Sequence, residues 1–424
     1  MSIREAASRT FRSLGVRNYR LYFFGQIVSM SGTWMQSVGQ AWLVLELTGS
    51  GVALGAVIAL QFLPTLLLGP WGGLVADRRD KRKLLIGTQT VAAVLALALG
   101  LLTVIGVVEL WMVYALALGL GLVTAVDMPA RQTFVMEMVG RENVTNAVSL
   151  NGVIINASRV VGPAVAGALI ATVGVGICFL VNAGSYVAVI VGLLLMRAGD
   201  LQRAAPATRQ RGQIRAGLQY VWRTAELRNP LLLMAVVGAI AFNFSVVLPL
   251  LVRFTFHAGA GAFGGLFSVM GVGAVIGGLG VAAWGRATRR LMAGAAILMG
   301  GFLGVIAVAP TLAVAMAAML PIGIASTAFI ATSNSLLQLG AAPEMRGRVM
   351  GLFSVVFLGT TPLGGLLMGW VAEQFGPRSA LGLSASVTTV AATITWVALR
   401  RMRDRRAVDE PVMLEGAAGG ATAA

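Results

Sequence analysis

The feature that most constrains this chain is its division into long apolar runs separated by short basic loops. Twelve runs can be placed: 21–46, 52–76, 84–107, 110–127, 147–172 and 176–196, then 230–254, 262–284, 291–309, 312–335, 348–372 and 379–399. Most have close to the roughly 20 apolar residues an α-helix needs to cross about 30 Å of hydrocarbon. Composition supports the same reading. Hydrophobic residues make up 57% of the chain and charged ones 11%, against about 25% charged in an ordinary soluble domain. That is too little charge to cover a water-facing surface, and a lipid bilayer removes the need for it. The expectation is an all-α integral membrane protein of twelve transmembrane helices in two pseudo-symmetric six-helix bundles.

The 32 Lys and Arg residues outnumber the 16 acids, but their placement argues against a nucleic-acid partner. With the N-terminus set in the cytoplasm, every cation except Arg159, Arg253 and Arg378 falls on the cytoplasmic side of the spans. This segregation is the positive-inside rule. It predicts a multi-pass plasma-membrane protein with both termini cytoplasmic. The basic N-terminus followed by an apolar run could suggest a signal peptide, but the run continues to about Leu47 and is read as the first span. One Cys and one His leave no intrachain disulfide and no Cys/His metal cluster, so neither a cofactor nor a metal is expected.

The intervals define five segments: a cytoplasmic N-terminus (1–20), a first bundle (21–196), an Arg-rich cytoplasmic linker (197–229), a second bundle (230–400) and a disordered cytoplasmic tail (401–424). The halves echo one another. Gly72-Gly73-Leu74, a cationic run and Leu84 correspond to Gly277-Gly278-Leu279, Arg289-Arg290 and Leu291. Pro129-Ala-Arg131 corresponds to Pro343-Glu-Met-Arg346-Gly-Arg348, and Gly162-Pro163 with Gly167 corresponds to Pro362 with Gly364 and Gly365. Parallel duplication of this kind is a mark of secondary transporters that rock about a midplane site.

These residues resemble the major facilitator superfamily over nearly the whole chain. The run from Gly73 through Asp77, Arg78, Asp80 and Arg82 to Lys83 is similar to its signature cytoplasmic loop, with Asp80 where Gly is usual. Asn18-Tyr-Arg20 with Gly25-Gln26, Asp127-Met-Pro129-Ala-Arg131-Gln132 and Arg159-Val-Val-Gly162-Pro163 resemble the bacterial branch that includes the enterobactin exporter and related secretion effectors. The resemblance implies the major facilitator fold, cytoplasmic termini and export by alternating access. The antiporter motif of the fifth span is matched by Gly162, Pro163 and Gly167, whereas Ser158 and Ala166 replace glycines, and 110–126 lacks the Arg of many drug/proton antiporters. Proton coupling is therefore left open beside gradient-driven uniport or import.

Gating and coupling residues are expected at the charged helix ends and at the prolines. In the resemblance Asp77, beside Gly73, Arg78 and Arg82, is a latch that holds the cytoplasmic side closed. Its carboxylate could pair with Arg78 or Arg82 or meet the positive N-terminal end of a neighbouring helix; alternatively it is a solvated loop acid. Asp127, Arg131 and Glu137 could join Arg346 and Arg348 in a charge network between the halves, or serve as interface anchors, and Asp127 is the plausible protonation site. Gly162, Pro163 and Pro362 interrupt helix hydrogen bonding and suit hinges or static kinks.

Substrate-cavity candidates are polar residues within spans. Gln26, Ser29, Thr33, Gln36, Ser37 and Gln40 share one face of the first span by their three- and four-residue steps. Such a stripe faces either a wet cavity or a hydrogen-bonded neighbour. Arg159, about 12 residues into its span, needs an aqueous cavity, an anion or a structural partner. Asn151, Asn156, Asn182, Asn243 and Asn334 are further candidates.

The expected function is secondary active export of a small hydrophobic or amphipathic organic compound, siderophore- or drug-like, from an apolar, amide-lined cavity. An ATP-driven pump is disfavoured because Lys81 and Lys83, the only lysines, follow no Gly-rich phosphate loop. An enzyme is disfavoured by the missing His, Cys and carboxylate pairs; a non-transporting sensor of the same fold remains an alternative. The expected partners are the substrate, lipid and protons. Glycine steps such as Gly273 to Gly277 and Gly365 to Gly369 read as internal packing in a monomer.

Overall fold

The computed structural model describes residues 11–140, 142–202 and 213–419, with backbone alone for Pro70, 213–217 and 399–419. The first half contains α1 (Arg17–Thr48), α2 (Gly51–Arg78), α3 (Lys81–Ile105), α4 (Leu110–Val139), α5 (Val144–Val173) and α6 (Val175–Leu194). A linker helix, α7 (Gln213–Arg223), leads to the second half: α8 (Ala225–Ile240), α9 (Phe244–Leu250), α10 (Ala260–Trp284), α11 (Arg289–Ala307), α12 (Leu312–Gly340), α13 (Arg346–Phe375) and α14 (Pro377–Gly419). No strand occurs among the described residues.

Among the described residues, eleven spans are long and apolar enough to cross a membrane by length and composition. They include the α8–α9 segment as one discontinuous span. The twelfth is α1, whose polar stripe lowers its mean hydropathy while its partners inside the first half satisfy those groups. Helix ends are set locally. The Ser50, Asp80, Thr288 and Thr311 side chains accept from the backbone N–H three residues on, opening α2, α3, α11 and α12; such caps contribute about 1 kcal/mol each. Gly49 and Gly106 end α1 and α3 with φ of 65° and 81°, a region only glycine enters freely.

Three elements differ from the sequence intervals. The fourth span continues past 127 to Val139, with Pro129 inside it. The seventh, an unbroken apolar run in sequence, is interrupted at 241–243 and ends in a π-helical turn, Leu251–Thr255. The final helix runs on to Gly419, beyond the expected end of the last span at 400. The linker is also partly helical, and Ala342 N donates to Tyr220 Oη at 3.2 Å, seating α7 on the second half.

Close helix approach is bought with small residues rather than interlocking large ones. Within the halves, Gly72 lies on the Ala125 carbonyl, Gly273 on Leu320 and Gly323 on Met270. Between them, two antiparallel pairs form the seam. In α2–α13, Gly51 meets Gly369 and Gly55 meets Gly365; in α5–α10, Gly264 meets Pro163 and Gly271 meets Arg159. The glycine steps are thus spent on internal contacts. Among the described residues, the Arg-bearing starts of α3, α11 and α13 lie at one end of the bundle, called here the basic end, and Ser50, His257 and Glu373 lie at the other, the far end.

Candidate functional site

The far end is shut by contacts across the seam. Glu373 Oε2 accepts from Ser50 Oγ at 2.5 Å and from Val52 N at 3.0 Å. Arg253 Nη1 donates to the Leu45 carbonyl at 3.2 Å. Trp42 stacks on Phe263 at 6.3 Å and donates from Nε1 to Glu46 at 2.7 Å. A shallow depression of about 470 Å³, lined by Trp42, Glu46, Arg253 and His257, lies outside this closure.

At the basic end the ion pairs among the described residues lie inside their own halves. Lys81 pairs with Glu137 at 2.6 Å and Arg289 with Glu226 at 3.2 Å. Arg82 donates from Nε to the Leu193 carbonyl at 2.6 Å and from Nη2 to Leu194 at 2.8 Å, capping α6. Arg82 is therefore not the partner of Asp77, which is half-buried and makes no hydrogen bond or ion pair among the described residues. Arg78 and Arg346 are exposed, Gly73 is half-buried, and Arg348 reaches only Met345 Sδ, at 3.2 Å. The expected charge network between halves is absent from this conformation, because Asp127 and Glu137 already have partners within the first half.

That first-half cluster is the densest polar site described. Arg131 and Asp127 form an ion pair one turn apart on α4, with a 3.0 Å bond from Nε. Arg131 Nη1 donates to Gln26 Oε1 at 2.6 Å, joining α4 to α1. Asp127 also accepts from Thr88 Oγ1 at 2.7 Å and Gln89 Nε2 at 2.8 Å on α3. Asp127 is 6% exposed; an ion withdrawn from water this far requires such bonds.

The three glutamines of the α1 stripe make interhelical hydrogen bonds. Asn182 Nδ2 donates to Gln36 Oε1 at 2.5 Å, and Gln61 Nε2 donates to Gln40 Oε1 at 3.1 Å. Ser29 is buried; Thr33 is half-buried and Ser37 exposed, and their hydroxyls bond back to the carbonyls of Ser29 and Thr33. Asn151 and Asn156 are half-buried, and Asn156 bonds the Gly152 carbonyl at 2.9 Å. Asn334 accepts from Gln338 at 2.6 Å. Arg159 stands over the Trp34 ring, 5.0 Å from its centroid. Gly162, Pro163 and Pro362 are buried within continuous helices.

Sequence reasoning missed the break in the seventh span. Asn243 Nδ2 donates to the Ala239 carbonyl at 2.7 Å and Ser384 Oγ to the Ile240 carbonyl at 3.0 Å, satisfying groups the break releases. Phe242, at the break, contacts Phe244, Phe329 and Phe357 at 6.3–6.4 Å. The closing pair Ser50–Glu373 was missed as well, since neither residue carries a motif.

The chain matches the transmembrane secretion effector family, MFS_3, over residues 8–413. It belongs to this family of the major facilitator superfamily. Among curated relatives of this secretion effector, the multidrug efflux pump Tap of Mycolicibacterium fortuitum is 27% identical over 406 residues, covering 92% of this chain and 98% of the pump. The staphyloferrin A transporter of Staphylococcus aureus (strain NCTC 8325 / PS 47) is 25% identical over 379 residues, covering 88% and 94%. The nucleoside transporter NupG shares the fold with a TM-score of 0.71 at 13% identity, covering 91% and 98%. A bacterial homologue of the iron transporter ferroportin, in an inward-facing state, does so with 0.64 at 18%, covering 89% and 98%. The protein is thus a multi-pass membrane transporter of the major facilitator superfamily, and its family is one of transporters, not enzymes.

Proposed function

We propose that this secretion effector exports a small amphipathic organic compound across the bacterial inner membrane, by alternating access and in exchange for protons. It works as a monomer of two six-helix bundles (21–196 and 230–400) joined by the 197–229 linker, with both termini cytoplasmic. The observation that carries the reading is the asymmetry of its two ends. Glu373 is bonded across the seam at the far end, while Asp77 has no partner among the described residues at the basic end. With the basic end in the cytoplasm by the positive-inside rule, this is an inward-open state ready to load cargo. The efflux pump and siderophore transporter among its relatives support outward movement of drug- or siderophore-like compounds.

Proton coupling is assigned to Asp127. Protonation would remove the charge that holds Arg131 and free the bond from Arg131 to Gln26 on α1. The polar residues of α1 and α5, with Asn243 and Asn334, are proposed to border the route between the bundles, and Gly162, Pro163 and Pro362 to absorb bending as the bundles rock.

The test is accumulation of a fluorescent-substrate panel in cells with and without the gene, before and after a protonophore. The expected result is gene-dependent efflux that the protonophore abolishes and Asp127→Asn strongly slows. Efflux that survives collapse of the gradient removes proton coupling, and absence of any gene-dependent flux removes the exporter reading.

A further inference from the structure

Arg159 is the one cation near the middle of a described span with nothing to balance it. Its guanidinium makes no hydrogen bond or ion pair with any described residue, and its Nε is buried without a partner. The two other cations drawn into the first half are answered, Arg131 by Asp127 and Gln26 and Lys81 by Glu137. Arg cannot escape by losing its proton, and a charge at membrane depth faces a partner or a water-filled route. Arg159 shares a face of α5 with Val148, Gly152 and Ile155 at three- and four-residue steps, each of them exposed or half-buried. It sits at the edge of the seam, where Gly271 of α10 reaches the Arg159 carbonyl and Ser268 Oγ donates to the Val160 carbonyl at 3.1 Å.

The opposite half offers no second cation. Superposing the repeats on Pro163 and Pro362 puts Leu358 where Arg159 stands. Beside it, Phe357 contacts Phe242 at the α8–α9 break, 6.3 Å between rings. The two halves thus differ in chemistry at this level, a cation with an indole in the first and, in the second, an aliphatic residue at the matched position with an aromatic cluster next to it in sequence.

We infer that Arg159 and Trp34 bind the anionic head of the cargo, and that the cargo is an amphipathic monoanion carrying a carboxylate on an aromatic or aliphatic body. The two Nη groups, which are not buried as Nε is, can hold a carboxylate end-on through two parallel hydrogen bonds, while the indole stabilises the cation from one side. A single guanidinium matches one negative charge better than a phosphate dianion. The apolar body lies toward Phe242 and Phe357. This rests on the exporter reading above.

The experiment measures binding to purified full-length protein in nanodiscs. The probes are three matched sets, naphthyl, biphenyl and dodecyl, each as carboxylate, neutral amide and primary ammonium. The expected result is that at least one carboxylate binds about tenfold or more tightly than its amide and ammonium partners, the range of a charge-assisted hydrogen bond. Arg159→Gln should abolish that preference, Arg159→Lys should keep a weakened one, and Trp34→Leu should weaken carboxylate binding. Arg159→Lys also guards against misreading a folding defect in Arg159→Gln, since both must elute as monodisperse protein. Equal or tighter binding of amides or ammonium compounds, an unchanged preference in Arg159→Gln, or no binding by any of the nine probes overturns the assignment. The exporter reading fails separately: carboxylates that bind through Arg159 but never cross proteoliposomes would leave the anion site and remove export, whereas flux of neutral or cationic probes alone would do the reverse.

Discussion

Glu373 at the end of α13 acts as a cap for α2: its Oε2 is 2.5 Å from the Ser50 hydroxyl, which itself caps the same helix through Ala53 N at 3.2 Å. A carboxylate from one bundle thereby sits at the positive end of a helix in the other, where negative charge is favoured. Asp77 occupies the mirrored place on the antiparallel partner, at the last turn of α2 and at the end of the pair where α13 begins. The two acids can each close one end of the same helix pair, and in this conformation Glu373 alone is engaged.

Glu373→Ala removes two hydrogen bonds to a carboxylate at an exposed site, a loss on the order of 1 kcal/mol. The closed-to-open ratio at the far end should fall about fivefold. Spin labels at Val107 and Val308, exposed positions of that end in the two bundles, should report a longer and broader distance. An unchanged distance distribution would show that the contact does not hold the closure.

Asp77→Ala should act with the opposite sign. It deletes the acid available to close the basic end, so the present conformation gains population, and the Val107–Val308 distance becomes shorter and narrower. Substrate efflux should fall several-fold at unchanged expression. Wild-type efflux would dismiss Asp77 as a latch.

Arg131→Ala strands Asp127 in the protein interior and should cost about 3–5 kcal/mol, as breaking a buried pair does. Asp127→Asn should cost less, because the amide oxygen can still accept from Thr88 or Gln89. Thermal stability by fluorescence-detected size exclusion checks the order: Arg131→Ala well below Asp127→Asn, and both below the parent.

Gly369→Val places a branched side chain against the Gly51 carbonyl, where the two backbones already touch. The far end cannot then close, so the label distance should lengthen more than in Glu373→Ala, with transport lost and folding of each bundle retained. Preserved transport would mean this contact forms no part of the cycle.

Much of this architecture is legible in residues, and the remainder is hidden for definite reasons. The spans follow from apolar runs of sufficient length, and the Asp127–Arg131 pair is visible because four residues make one helical turn. The stripe on α1 is visible as a shared face, but periodicity does not name the helices that face meets. Those are α4 for Gln26, α6 for Gln36 and α2 for Gln40. Lys81–Glu137 and Ser50–Glu373 span 56 and 323 positions, so no local pattern announces them. The break at 241–243 is invisible because 230–254 remains apolar throughout, and Asn243 alone hints that a carbonyl there needs a donor.

The double grip of Arg82 on the final carbonyls of α6 has a mechanical consequence. It fastens the start of α3, just beyond the end of α2 that carries Asp77, to the last helix of the same bundle, so that end of α2 cannot swing as a loose arm. Any movement that brings Asp77 toward α13 has to carry α2, α3 and α6 with it. In the proposed cycle, force applied at Asp77 would therefore pass to these three helices together rather than be lost in a flexible hinge.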